Sequence, residues 1–230
     1  MSNQYQAPPR KKTIVDYAGL RLTSNPVQGS DKRPSLAIIV NRNNVRFDVY
    51  TNVPNDKKNG NIRAELDPAA FYFFIEGLDN IIAAQGEKQF VLECKDYIWT
   101  GGQRSEKMVT QSKLMVAKDK TGKIFISLQS YDGDRPKIRF FFDLPWKNEL
   151  IIDRQPATES QVSEIAAKAF LRNLTSLVPM TLVQEFVEPV KKDKAGVTPN
   201  QQQKPQQRAY GSSETPAGSS EYDWEDDIPM

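Results

Sequence analysis

Apolar and polar positions follow three different rules along this chain. Between about residues 11 and 153 they alternate in short runs, the period of a half-buried strand. Leu36 to Val40 and Val45 to Thr51 flank the turn-prone tetrapeptide Asn41-Arg42-Asn43-Asn44 and predict a hairpin. Further strands are predicted over Phe90 to Trp99, Met108 to Lys118, Lys123 to Gln129 and Lys137 to Leu144, with turns at Asp119 to Gly122 and Asp132 to Asp134. Two stretches switch to helical spacing. Phe71, Phe74, Ile75, Leu78, Ile81 and Ile82 recur on one face, behind Asp67 as cap and Pro68 as first residue, and this helix is expected to end near Gly86. A second helix starts at Thr158, where Gln161 completes a capping box. Val162, Ile165, Ala169, Leu174 and Leu177 give it an apolar face, and Pro179 is expected to bend or end it. From Lys191 the composition turns to Gln, Pro, Gly and Ser, with almost nothing to bury.

The elements predict a mainly β fold with two helices: an OB-fold-like antiparallel barrel, a C-terminal helix and a disordered tail. A helix set between the third and fourth strands of a small barrel is the oligonucleotide/oligosaccharide-binding layout. The extra strand in this chain is read as an added hairpin. Residues 1–10 form a flexible N-terminus, 11–190 the folded domain, 191–220 a linker and 221–230 an acidic tip.

Composition narrows the chemistry. The 230 residues include no histidine, which removes histidine general bases, the triads that depend on one and nearly all zinc sites. Cys94 is the single cysteine, so no intramolecular disulfide forms and a reducing, cytoplasmic location is expected. No apolar run approaches the roughly 20 residues of a membrane span, and Met1 to Pro9 lacks the apolar region of a secretory signal. Net charge is +2, but the last ten residues, EYDWEDDIPM, hold five acids and no base, which leaves +7 on the rest. A basic body with an acidic tip suggests that the body binds a polyanion and the tip has a role of its own.

Alternation sorts the strand faces. Val45, Phe47 and Val49 are core, with Arg46, Asp48 and Tyr50 opposite. Ile138, Phe140 and Phe142 point inward, and Lys137, Arg139 and Phe141 outward. Ile124, Ile126 and Leu128 oppose Lys123, Phe125 and Tyr131, while Phe90, Leu92 and Cys94 oppose Lys95, Tyr97 and Trp99. Several strands thus place an aromatic and a cation on one non-core face. Single-strand binding needs that pairing: unstacked bases stack on rings for about 1–3 kcal/mol each, and cations beside them release counterions from phosphates. Neither helix is basic enough for a duplex groove. Tyr50, Tyr97, Trp99, Phe125, Tyr131 and Phe141 are the stacking candidates. Arg46, Lys95, Arg104, Lys107, Lys113, Lys123, Lys137 and Arg139 are the phosphate candidates.

The loop Thr100 to Lys107 adds a glycine pair, Gly101-Gly102, beside Arg104 and Lys107; it reads either as a phosphate-binding loop or as a plain hairpin turn. Asp48, Glu65, Asp67, Glu93, Asp96 and Asp143 form no metal-binding cluster by spacing and read as caps and solvated charges, so neither cofactor nor catalytic activity is expected. Cys94 reads as an inert buried thiol.

The tip has an internal order of its own: Trp224 among acids, then Asp226-Asp227-Ile228-Pro229-Met230. Here the chain resembles the single-stranded DNA-binding proteins of bacteria and their phages, which join an oligonucleotide-binding domain through a disordered linker to an acidic tip ending in Asp-Asp-Ile-Pro-Phe or similar. Asp226, Asp227, Ile228 and Pro229 match, and Met230 replaces the phenylalanine. The longer two-helix domain is similar to the phage type, which implies the host cytoplasm. The resemblance implies that the domain coats single-stranded DNA while the tip docks a polymerase, primase, helicase or nuclease. Asp226 and Asp227 would meet a partner's basic rim, and Ile228, Pro229 and Met230 its apolar pocket. An annealing protein or RNA chaperone on a similar fold, or a metal-dependent nuclease, are the rival readings. The oligomeric state, homo-oligomer included, stays open.

Overall fold

The computed structural model describes residues 12–188, apart from 132, 145 and 146. The chain first builds a four-stranded antiparallel sheet from β1 (Arg21–Thr23), β2 (Ser35–Asn41), β3 (Asn44–Tyr50) and β4 (Asn61–Leu66), paired in that order. Val45, Phe47 and Val49 on β3 are fully buried, as their alternation requires. Helix α1 (Pro68–Ile82) follows, then β5 (Lys88–Asp96), the short pair β6 (Trp99–Thr100) and β7 (Gln103–Arg104), and β8 (Val109–Lys118). Next come β9 (Ile124–Ser130), β10 (Phe140–Phe141), the pair β11 (Ile151–Ile152) and β12 (Gln155–Pro156), and helix α2 (Glu159–Gln184). The second four-stranded sheet is antiparallel, in the order β10-β9-β8-β5. The domain is therefore mainly β with two helices, the second C-terminal.

The strands curl toward one another. β4 lies against β8 and β9, and β1 approaches β10, so the two sheets enclose one core. Leu92, Leu114 and Leu128 form one row across the second sheet, and Phe90, Val116 and Ile126 the next. α1 closes the core, with the Phe74 ring edge-on to Phe47 at 4.8 Å between centroids. Its start is as expected: Asp67 Oδ1 accepts from Ala70 N at 2.7 Å, ahead of Pro68. Its end is not. The helix stops at Ile82 rather than near Gly86, because the buried Lys118 ammonium donates to the carbonyls of Ile82 (2.9 Å) and Ala84 (2.6 Å) and satisfies the last turn from the sheet.

The other departures have similar causes. The run expected from Phe90 to Trp99 stops at Asp96 after a bulge between Cys94 and Lys95. The run over Lys137 to Leu144 shrinks to two paired residues, Phe140 and Phe141. α2 keeps the Thr158–Gln161 capping box but runs through Pro179 to Gln184. Its buried face is Ser163, Ala167, Phe170, Leu174 and Val178, while Ile165 and Ala169 of the expected face lie exposed. Two contacts fix that rotation: Ser163 Oγ accepts from Ile124 N (2.9 Å), and Phe170 packs edge-on to Phe142 at 5.1 Å.

One glycine in α1 records how closely helix and sheet approach. A Cβ at Gly77 would come within 2.5 Å of the Phe90 ring. Alanine gains about 1 kcal/mol of helix propensity, against about 1–3 kcal/mol for overpacking. Gly77→Ala is expected to lower stability, by up to about 2 kcal/mol, on urea unfolding; a gain would mean that the Phe90 ring turns aside freely. The expected flexible N-terminus (1–10), linker (191–220) and acidic tip (221–230) lie outside the described residues.

Candidate nucleic-acid interface

The end of β5 turns a regular ladder into a projecting arm. Past the bulge, Lys95 and Asp96 pair with Thr110 and Val109, and the chain reverses through β6 and β7. Gly101 (φ 59°) and Gly102 (φ 81°) join the two strands in a left-handed conformation that suits glycine, so the glycine pair is a hairpin turn. The arm holds Trp99, 68% exposed, opposite Arg104. The Arg104 guanidinium stacks 3.3 Å from the centroid of the Tyr97 ring. Ser105 ties the arm's base, accepting from Ile98 N (3.0 Å) and donating to the Lys107 carbonyl (2.8 Å).

Other candidates surround this arm. Lys113 and Lys95 share the Glu93 carboxylate at 2.7 and 3.5 Å; the Lys113 hydrogen bond, then its charge, holds that carboxyl below the usual range. Tyr131, 63% exposed, donates its backbone N–H to the Gln111 carbonyl at 3.0 Å and so stands at the same end of the sheet. Lys95, Tyr97, Trp99, Arg104, Lys107, Lys113 and Tyr131 are thus gathered in one region.

A groove of about 690 Å³ opens beside them, between β4 and the second sheet. Tyr50, Asn61 and Arg63 line one wall, and Cys94, Lys95 and Ser112 are among the residues of the other. Its lining carries Arg63, Lys95 and Arg135 with Glu65 and Asp96; Arg63 and Arg135 are already paired with Asp48 and Asp56, so the electrostatic pull on phosphate is modest and the cations of the arm add to it. Arg46 is drawn away from solvent. Its guanidinium holds Asp48 Oδ2 at 2.9 and 3.1 Å, while Arg63 Nε holds Oδ1 at 2.8 Å. Asp48, expected on the outward face, is fully buried because these two arginines cover it. Sequence reading missed Arg63; the register of β3 with β4, which sets Asp48 opposite Arg63, is the signal that finds it.

The remaining candidates sit elsewhere. Phe125, expected to face outward, is only 5% exposed: Phe141 packs on it at 5.3 Å and the Arg139 guanidinium lies 5.0 Å from its ring. Lys123 lies 5.1 Å from the half-buried Phe141 ring and pairs with Glu159 (3.3 Å) and Asp143 (3.7 Å). Lys137 and Arg139 are exposed. Along β8 the positions beside Phe125 and Tyr131, Ala117 and Gln111, are six residues apart, about 20 Å. The fourteen predicted residues therefore form two clusters, with Arg46 and Tyr50 on the first sheet. Trp224, Asp226, Asp227, Ile228, Pro229 and Met230 lie outside the described residues.

The carboxylates are occupied locally. Asp67 caps α1, Glu65 accepts from Asn44 at 2.8 Å, and Asp143 and Glu93 hold lysines. Among the described residues no group of three or more acidic or cysteine side chains is placed to hold a metal ion, and no helix is long and apolar enough to cross a membrane. Cys94 is half-buried, and burial pushes its thiol pKa up. Comparisons with protein-family models, curated proteins and solved structures give no match.

Proposed function

We propose that this chain is a non-catalytic single-stranded DNA-binding protein of the host cytoplasm, serving replication, recombination or repair. The observation that carries the reading is the arm at the end of β5, where the exposed Trp99 ring stands with Arg104 and Lys107, Tyr131 is exposed at the same end of the sheet, and Lys95 lines an open groove. Exposed rings among cations suit bases that have left a duplex, since each ring accepts any base face. In this reading the strand stacks on Trp99, Tyr97 and Tyr131 and continues along the groove past Tyr50. The tip, through Trp224, Asp226, Asp227, Ile228, Pro229 and Met230, docks replication or recombination partners. The contrast between a +7 body and a −5 tip supports that division of labour.

The test is a titration of the intact protein with oligo-dT, read by tryptophan fluorescence at several salt concentrations, beside a chain ending at Ser220. Saturable quenching is expected, with log K falling against log salt at a slope of about −2 to −3.5, the value for three to five phosphate contacts on a single strand. The shortened chain is expected to bind more tightly, because removing five acids removes a competitor for the cations. Absence of saturable binding by both chains would refute the reading, and magnesium-dependent loss of the oligonucleotide would favour a nuclease.

A further inference from the structure

The inner face of the second sheet changes character over one row. Toward the core it carries Leu92, Leu114 and Leu128, and at the groove it carries Cys94, Ser112 and Ser130, aligned across β5, β8 and β9. The three small side chains line the groove opposite Tyr50 and Asn61. The middle one is the anomaly. Ser112 is 1% exposed, and its Oγ has no hydrogen-bond partner among the described residues. The Cys94 thiol is near enough for the hydroxyl to influence its ionisation, but the pair does not reach hydrogen-bond geometry. A buried hydroxyl left unmatched is destabilising, so such groups call for a specific account. Nothing in the core needs a serine there; an alanine would fill the same place.

We infer that the Cys94–Ser112–Ser130 row is a base-edge subsite, in which one base of a bound single strand enters the groove and pairs its polar edge with the Ser112 hydroxyl. This rests on the function proposed above. Stacking on the arm is indifferent to sequence, whereas a hydroxyl on the groove floor meets the donors and acceptors of a base edge. The backbone phosphates remain with the cations outside. The thiol of Cys94, next in the row, is covered whenever a base is seated.

Cys94 is the chain's single cysteine, so its labelling by a small thiol reagent reports on this row alone. The full chain is labelled with methyl methanethiosulfonate alone, with oligo-dT, and with an oligonucleotide of equal length made of abasic sites. Binding is followed separately by fluorescence anisotropy. At ten times its Kd, oligo-dT is expected to slow labelling about tenfold by mass action, while the abasic strand, once bound, leaves the rate unchanged. Equal slowing by both strands would overturn the inference, since the backbone would then be what covers the row. Saturating binding of oligo-dT with no slowing would overturn it too and leave the proposed function standing. No binding at all would remove that function and the subsite with it. Ser112→Ala supplies the second arm: affinity for oligo-dT falls about fivefold, abasic binding holds, and thermal stability is unchanged or higher. A purely structural serine would give the reverse, with lower stability and unchanged affinity.

Discussion

Replacing Arg135 with methionine is expected to lower stability by about 3–5 kcal/mol, the loss that follows when one partner of a buried ion pair is left alone. Arg135 and Asp56 side chains are 2% and 5% exposed. The guanidinium donates in fork geometry, Nε to Oδ1 at 3.0 Å and Nη2 to Oδ2 at 2.8 Å, and its Nη1 reaches the Asn61 carbonyl at 2.8 Å. Thr51 Oγ1 donates a third bond to the same carboxylate at 2.7 Å. Together these join the segment before β10 to the start of β4 and the loop after β3, across 79 positions of sequence. The paired change Asp56→Leu with Arg135→Met is expected to recover most of the loss, because no charge is then stranded. Urea unfolding of both variants and of Asp56→Leu alone completes the cycle. Additive losses would show that the two side chains act independently.

Acid gives an independent check. The Arg135 hydrogen bond holds the Asp56 carboxyl below its ordinary value. A depressed folded-state pKa contributes stability that is complete above the unfolded value, near 4, and is lost as pH falls through the folded one. Unfolding profiles between pH 7 and pH 2 should therefore steepen below about pH 4 in the natural chain. With Arg135→Met that contribution disappears.

The second large effect concerns binding. Lys95, Arg104 and Lys107 changed together to glutamine should weaken oligo-dT binding about a hundredfold at 0.1 M salt, since each phosphate contact releasing about 0.7 ion is worth roughly fivefold there. The slope of log K against log salt should fall by about 2. The matched control changes Lys123, Lys137 and Arg139, the cations at the far end of the second sheet, and should lower affinity less than about tenfold. Equal losses from the two triples would mean that the strand crosses the whole sheet; a larger loss from the control would move the interface to the Phe125–Phe141 end. Thermal melts of both triples separate binding from folding.

How far the residues foretold this structure depends on the range of the interaction that decides each feature. The Asp67–Pro68 start and the Thr158–Gln161 box are local, closed within three residues, and both stand as read. The alternation of Val45, Phe47 and Val49 is equally local and correct. Alternation assigns a side of a sheet but not what covers that side. Phe125 was placed on the proper face, yet Phe141 and Arg139, 14 and more residues on, take it out of solvent. Arg63 and Arg135 escaped notice because their partners, Asp48 and Asp56, are 15 and 79 positions away. Ser112 escaped for a different reason: a serine within a strand resembles any solvated polar position until its cross-strand neighbours show that it is buried and unmatched.

The ladder of the arm that bears Trp99 is two residue pairs long, Trp99 with Arg104 and Thr100 with Gln103, above the Ser105–Ile98 tie at its base. So short a ladder opens at a small fraction of the free energy needed to unfold the whole domain. If the proposed function holds, a strand seated on it is surrendered in stages, with one nucleotide lifting as the arm yields while its neighbours stay in the groove. Residence time then tracks the opening of a six-residue hairpin rather than the total of all contacts. Under that proposal, a strand is peeled free nucleotide by nucleotide without first dislodging the whole protein.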